Sequence, residues 1–281
     1  MNRLVSGLGA DLQHAADVVA ERGGALGWPM HLLASTTSTN DEAKVGARRG
    51  APHGATWVAE EQTAGRGRHG RVWWSPAGES LLFSVLVRQG LAASRLPQIA
   101  LVAGLAVQVA VTRAAIADAK IKWPNDIQVG GKKVAGLLVE AITAGSRVEA
   151  VVIGIGINVH TRTFPEGIKD HATSIALASG GRTEPPDRAR VLADVLEILD
   201  RDLHVVGTRG LGIVRARLEA ADALRGRRVR NDAGDEGIAS GIDDEGHLLV
   251  RREDGVLARW FAGEVHLMGH GMDPGATTNC P

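Results

Sequence analysis

The run Leu81-Leu82-Phe83-Ser84-Val85-Leu86-Val87 limits the fold more than any other stretch. A near-continuous apolar segment of strand length suits a strand covered on both faces, not one with a wet side. The chain supplies the covering parts. Val148 to Val159 is a second apolar strand, and Pro97 followed by the apolar series from Ile99 to Ala115 reads as a long, largely buried helix. Gly130-Gly131 is a two-residue hairpin signal that joins Ile127-Gln128-Val129 to a return arm from Lys132 to Glu140. Another helix is predicted after Asp187, with Val191, Leu192, Val195, Leu196, Leu199 and Leu203 at helical spacing. Together these segments describe the body of an α/β domain. Residues from His160 to Pro186 read as loop.

At the N-terminus, Leu4, Leu8, Leu12, Ala15, Ala16 and Val19 predict one short amphipathic helix ended by Gly23-Gly24. Only about 30 residues precede the next informative segment, too few for a helix-turn-helix module with its own core, so no DNA-binding role is expected. Near Leu224 the pattern changes to short alternating strands with turns at Glu245-Gly246 and Asp254-Gly255. This is a small all-β unit of roughly 45 residues, read as a compact barrel. The expected domains are 1–223 and 224–268, followed by a disordered tail at 269–281.

The chemistry centres on residues 65–71, GRGRHGR. Glycine admits positive φ and close approach of a ligand, and each arginine offers a planar fork of donors for carboxylate or phosphate. The stretch also matches G-x-G-x-x-G through Gly65, Gly67 and Gly70. That fingerprint needs a helix opening on the glycines, whereas Val72-Trp73-Trp74-Ser75-Pro76 follows, so the dinucleotide reading fails. An anion-binding loop and a solvated basic loop both remain. His69 among the arginines reads as exposed.

Three further stretches carry polar chemistry. Ser35 to Thr39 are five hydroxyl residues running into Asn40, and Thr39 with Glu42 forms a capping-box pattern. A cap accounts for Thr39 alone; the surplus hydroxyls suit a polar ring or an anion at a helix terminus. Gln62, whose amide both donates and accepts, leads into the arginine loop. Lys122-Trp123-Pro124-Asn125-Asp126 turns the chain, and strict alternation places Lys133 on the face of Ala135 and Leu137, with Lys132 beside Val134 and Gly136. Either lysine alone suits a decorated strand end. Trp123 offers an indole for stacking. Gly154 and Gly156 alternate inside a strand that ends at Asn158, which indicates close approach by a ligand or another backbone.

Charge excludes some partners. Lys+Arg and Asp+Glu both number 32, which leaves no global basic field for nucleic acid. The single cysteine, Cys280, rules out an intrachain disulfide or a cysteine metal cluster. No signal-peptide core or run of about 18 apolar residues is apparent, so a cytoplasmic protein without a membrane partner is expected.

TSTN at 37–40, EQTAGRGRHGR at 61–71, KWPNDIQVGGKKVAGLLVE at 122–140, GIGINV at 154–159 and the C-terminal strands together resemble the biotin protein ligase family, from about Leu32 to Leu267. The resemblance implies an α+β fold: a mixed-sheet catalytic domain of the biotin/lipoate ligase type with a small C-terminal SH3-like β-barrel, in a short form without a DNA-binding domain. It implies a biotin–[acetyl-CoA-carboxylase] ligase that activates biotin with MgATP as biotinyl-5′-AMP and transfers it to a lysine of a biotin carboxyl carrier domain. A homodimer is admitted. Residue by residue, Ser38, Thr39, Asn40 and Gln62 match positions around the ureido ring, and Arg66, Gly67 and Arg68 match the loop that closes on biotin and the adenylate phosphate. Lys133 matches the lysine bridging the biotin carboxylate and the α-phosphate, and Gly136 lets the backbone approach biotin. Trp123, Asn125 and Asn158 match the adenine surroundings, Arg71 the phosphates, and Asp126 either a magnesium ligand or a structural group. Both the arginine loop and the segment from Val159 to Thr173 are expected to order only with ligand. A lipoate or octanoyl transferase shares the lysine but has no reason for GRGR and KWPND. A single-stranded nucleic-acid binder is opposed by the balanced charge and the 3% aromatic content.

Overall fold

Every residue of the strand Ser80–Val87 is buried, and it pairs on both edges, as its composition requires. The structure, a computed structural model, describes residues 6–88, 93–180 and 187–268. Leu4, Pro186 and the 269–281 tail with Cys280 lie outside the described residues.

In chain order the elements are α1 (Ala10–Gln13), α2 (Ala15–Arg22), β1 (Met30–Leu33), α3 (Thr39–Arg48), β2 (Thr56–Ala59), β3 (Ser80–Val87), α4 (Leu96–Ala115) and β4 (Ala119–Lys122). They continue with β5 (Asp126–Val129), β6 (Lys132–Ala144), β7 (Arg147–Asn158), α5 (Ile175–Ala178), α6 (Arg188–Arg209) and α7 (Arg215–Ala221). Strands β8 (Arg228–Asn231), β9 (Glu236–Ile242), β10 (Leu248–Arg251), β11 (Leu257–Trp260) and β12 (Val265–Leu267) follow.

The large sheet runs β1-β2-β3-β7-β6-β5-β4, with β1 parallel to β2 and the other neighbours antiparallel. It is therefore a mixed sheet, and the fold is α+β. One face is closed by α4 and α6, whose apolar side chains join Phe83, Ile153 and Ile155 in the main core. Helix α4 is long and apolar enough, by length and composition, to cross a membrane, although Gln98, Gln108, Thr112 and Arg113 interrupt its apolar residues, most of which pack into this core. Helix α6 starts where Asp187 accepts from the Ala189 and Arg190 amides and stops at Gly210, with φ 77°. The opposite face is covered by α3, with Ala43, Ala47, Trp57, Leu86 and Val152 in a smaller cluster. Beyond that cluster β6 and β7 present Gly136, Gly154 and Gly156, which leaves a shallow floor.

Two differences from expectation concern local order. The N-terminal pattern forms two short helices, not one, breaking at His14. The segment from His160 is not plain loop: Ile168 and Lys169 donate back to Pro165, and Ser174 caps α5 through the Leu177 amide.

The C-terminal strands form an antiparallel sheet in the order β11-β10-β9-β8-β12, with no closing pair between β11 and β12 among the described residues. Its β9–β10 turn docks on the start of α4 and on the turn between β4 and β5. Trp123 Nε1 donates to Gly246 O at 3.0 Å and Gln98 Nε2 to Asp244 O at 2.8 Å. Gly246 has φ 92°, and a Cβ there would lie 3.2 Å from Gln98 N.

At the junction before this sheet, Asp222 accepts from the Leu224 amide at 2.8 Å, but its second oxygen is buried without a partner. Burial raises its pKa above the ordinary carboxylate value. A raised folded-state pKa favours folding below the ordinary value, and that advantage is lost as pH rises through the folded value. Asp222→Asn is therefore expected to raise the melting temperature at pH 7.5 relative to the parent, with the gap narrowing as pH falls toward 4, measured by thermal melts at both pH values.

Candidate active site

The floor of β6 and β7 is walled by the start of α3. Residues 36–37 and 61–64 pair as extended chains, with Thr63 N donating to Thr36 O and Ala64 N to Thr37 O, and this brings Gln62 to the helix terminus. Gln62 Oε1 accepts from Thr39 N at 2.8 Å and Thr39 Oγ1 at 3.0 Å. Ser38 occupies the cap position without a side-chain cap bond. The Thr39–Glu42 capping box does not form: Glu42 accepts from Thr36 Oγ1 at 2.9 Å, and Gln62 caps the helix from outside. Gln62 Nε2 has no protein partner among the described residues and borders the pocket.

Asn40 does not offer its amide to a ligand. Oδ1 accepts from Ser84 Oγ at 2.6 Å, while Nδ2 donates to Glu140 Oε2 at 2.7 Å and Leu138 O at 3.3 Å. It shapes the wall. Behind it, Lys44 Nζ meets Glu140 at 2.6 Å, and Arg66 donates to both oxygens of Asp41, at 2.8 and 2.5 Å. The Arg66 hydrogen bond holds the Asp41 pKa below its ordinary 3.8, so the pair forms above that value and is lost as pH falls through the lowered one. The wall is thus expected to persist unchanged between pH 5 and 8.

Residues 65–73 form a small hairpin: Gly67 N donates to Arg71 O at 2.7 Å and Trp73 N to Gly65 O at 2.9 Å, with His69 at φ 54°. The loop is thus braced by its own hydrogen bonds. Its arginines diverge. Arg66 turns to α3; Arg68 Nη1 donates to Asn125 Oδ1 at 3.2 Å and Gly263 O at 3.4 Å; Arg71 pairs with Glu264 at 2.6 Å, well away from the floor. Burial lowers the Arg68 pKa, with Glu264 and Asp126 acting the other way. A Cβ at Gly67 would make only ordinary contact with Arg71, 3.6 Å from its carbonyl oxygen.

The glycines of the floor are explained by side chains, not by backbone. A Cβ at Gly154 would lie 2.1 Å from Asn40 Oδ1, and one at Gly156 would lie 2.7 Å from the Trp73 ring. Trp73 also closes on Gly136, at 3.1 Å. The sequence reading did not single out Trp73; the glycines at 136, 154 and 156, which leave room for a large ring, were the available signal. Its Nε1 is buried with no partner, and Lys133 Nζ sits 5.5 Å from its ring centroid, within cation–π range.

Lys133 lies on the face opposite to that expected from alternation. The β5–β6 register pairs Ile127 with Ala135 but Gln128 with Lys133, so Val134 is an extra residue in a β-bulge. The bulge turns Lys133 to the side of Gly136, where its Nζ would lie 3.0 Å from an added Cβ. Lys133 Nζ pairs with Asp126 Oδ1 at 2.7 Å. Asp126 is thereby committed to the lysine and belongs to no cluster of three metal-ligating groups among the described residues, so the donor set does not fit a protein-held magnesium cage. The Lys133 backbone pairs with the following segment, donating to His171 O at 2.7 Å and accepting from Thr173 N at 2.8 Å. Asn158, 5% exposed, donates to Thr173 O at 3.0 Å. Asn158 therefore anchors this segment.

Two recesses result. The first, about 440 Å³, gathers Ser38, Thr39, Asn40, Gln62, Arg66 and Gly136 with Trp73. The second, about 710 Å³, contains Arg68, Trp123 and Phe261. Asn125, Leu137 and Leu138 line both. Trp123 is only 3% exposed, which leaves little ring face for stacking. Gly67, Arg71, Asp126, Lys133 and Asn158 line neither recess, although Lys133 lies beside Gly136 of the first.

The mixed sheet thus carries a polar recess, a lysine on a bulge beside it and an adjoining recess that holds an arginine. Residues 32–158 match the Biotin/lipoate A/B protein ligase family, and residues 226–268 match the Biotin protein ligase C terminal domain. The Bifunctional ligase/repressor BirA of Bacillus spizizenii is 38% identical over 80% of this chain and 69% of its own length. The Biotin--[acetyl-CoA-carboxylase] ligase of Paracoccus denitrificans is 37% identical over 78% and 93%. A biotin protein ligase from Aquifex aeolicus, solved in complex with biotin and ATP, superposes with TM-score 0.75 at 31% identity, covering 85% of this chain and 98% of that one. The chain belongs to the biotin protein ligase family.

Proposed function

We propose that the chain activates biotin with ATP and transfers the biotinyl group to a lysine of a biotin carboxyl carrier domain. The observation that carries this reading is the adjacency of the two recesses across Asn125 and Leu137, with Lys133 beside the polar one and Arg68 in the other. The Paracoccus relative, named for acetyl-CoA carboxylase, supports the acceptor class. The match at 226–268 to the Biotin protein ligase C terminal domain favours biotin over lipoate.

In the first step a biotin carboxylate oxygen attacks the α-phosphorus of ATP, forming an acyl–phosphate bond as the bond to pyrophosphate breaks. Any magnesium would be part of the MgATP substrate, where it would offset phosphate charge. The ureido ring fits the first recess, where Gln62 Nε2 can donate to its carbonyl and Ser38 can accept from a ring N–H. Lys133 exchanges Asp126 for the carboxylate and α-phosphate, and its ammonium follows negative charge into the transition state. Arg68 stabilises the phosphate from the second recess. In the second step the acceptor amine attacks the acyl carbon, AMP leaves, and the nitrogen loses a proton to form the amide.

ATP–pyrophosphate exchange measured with biotin, with lipoate and with no acid tests the proposal. Exchange with biotin alone is expected; exchange only with lipoate, or none, contradicts it. Glu140→Gln provides a second check. It keeps an acceptor for Asn40 but weakens the Lys44 contact, so KM for biotin is expected to rise about three- to tenfold with kcat little changed.

A further inference from the structure

Residues 60–80, which hold Gln62, the arginine hairpin and Trp73, leave the sheet at the end of β2 and return at the start of β3. One buried side chain grips both ends of this excursion. Arg188, the first residue of α6, is 2% exposed. Its Nη1 donates to Glu60 Oε1 at 2.8 Å and to Ser80 O at 3.2 Å, and its Nη2 to Glu60 Oε2 at 3.3 Å. The guanidinium is held in turn from the N-terminal segment: Nε and Nη2 donate to the two oxygens of Asp11 at 2.8 and 2.7 Å. Gly9 N reaches past it to Glu60 Oε2 at 2.8 Å. A bidentate arginine between two carboxylates fixes angle as well as distance, which a lysine in its place does not.

We propose that Arg188 is a positioning residue for the ligand-binding excursion, and that the N-terminal segment acts on the site through Asp11 and Gly9. None of the three lines either recess. Their influence runs through the two ends of the 60–80 excursion, so loosening the clamp frees Gln62, Arg66 and Trp73 together while the sheet stays folded. The assignment of ligands to that excursion rests on the proposed biotin and ATP activity; the clamp itself does not.

Two variants perturb the clamp differently. Asp11→Asn removes one charge. Gly9→Ala keeps every charge but places a Cβ 2.4 Å from Arg188 Nη2, which must move. Leu199→Ala, on the buried face of α6, serves as a control that destabilises without touching the clamp. The readouts are the rate of trypsin cleavage within residues 66–71 under conditions where each protein is folded, and KM and kcat for biotin in pyrophosphate exchange. Both clamp variants are expected to be cut about tenfold faster in that hairpin than the control at a matched distance below its melting temperature. Their KM for biotin is expected to rise more than kcat falls. If hairpin cleavage in Asp11→Asn and Gly9→Ala merely tracks melting temperature, as in Leu199→Ala, the proposal is overturned. Cleavage needs no substrate, so failure of the biotin activity alone leaves this result readable.

Discussion

Lys133→Ala is expected to yield a folded protein whose biotin-dependent pyrophosphate exchange is lower by at least about 10³-fold, a loss of roughly 4 kcal/mol of transition-state stabilisation. The stability cost should stay within about 1 kcal/mol, because the Lys133–Asp126 pair is partly exposed on both sides. The bulge at Val134 makes this possible. It places the ammonium over the floor beside Trp73 and Gly136, while the Lys133 backbone goes on holding residues 171–173 whatever the side chain. A variant that melts normally and exchanges normally would remove Lys133 from the chemistry. A variant that unfolds would make it structural.

Gly154→Ala is expected to have the second largest effect, through binding. A methyl group 2.1 Å from Asn40 Oδ1 cannot be accommodated without moving Asn40, and Asn40 joins Ser84, Leu138 and Glu140 in one buried network. Displacing it costs about 1–3 kcal/mol of stability and leaves buried polar groups short of partners. The same shift pushes the start of α3, with Ser38 and Thr39, into the recess. Biotin affinity is expected to fall about 100-fold or more, read by titration alongside a thermal melt. Unchanged affinity would show that the Asn40 wall does not shape the ligand site.

How much of this was legible in the sequence depended on the range of the interactions. The buried strand β3, helix α4 and the β5–β6 hairpin follow from local composition, and Gly130 and Gly131 do adopt φ 57° and 79° as a two-residue turn needs. The hydroxyl cluster, Gln62 and Lys133 were found because unusual polar residues stand out against apolar strands. Orientation was less accessible. One inserted residue reverses a strand's facing, and nothing near Val134 signals the bulge, so alternation put Lys133 on the wrong face. Partnerships across a hundred residues or more were also hidden, Asn40 with Glu140 and Arg188 with Glu60, as was the shorter-range hold of Asn158 on Thr173. Arg188 reads in sequence as an ordinary first-turn helix residue, although it is the largest fully buried side chain among the described residues. The Gly-Arg loop stands out as chemistry, and the family resemblance assigns its arginines to biotin and phosphate, whereas Asp41 of α3, Asn125 of the β4–β5 turn and Glu264 of the β11–β12 turn draw them apart.

The central claim is that one chain carries a biotin recess and a nucleotide recess that adjoin across Asn125 and Leu137, with Lys133 beside the first. Its most direct test is to incubate the protein with biotin and MgATP in the absence of any acceptor, then identify the bound small molecule by mass spectrometry. The expected result is biotinyl-5′-AMP at close to one equivalent per chain, absent from Lys133→Ala and discharged to a biotin carrier domain with release of AMP. Recovery of lipoyl-AMP from a mixture of both acids, or of unreacted biotin and ATP alone, would contradict the account.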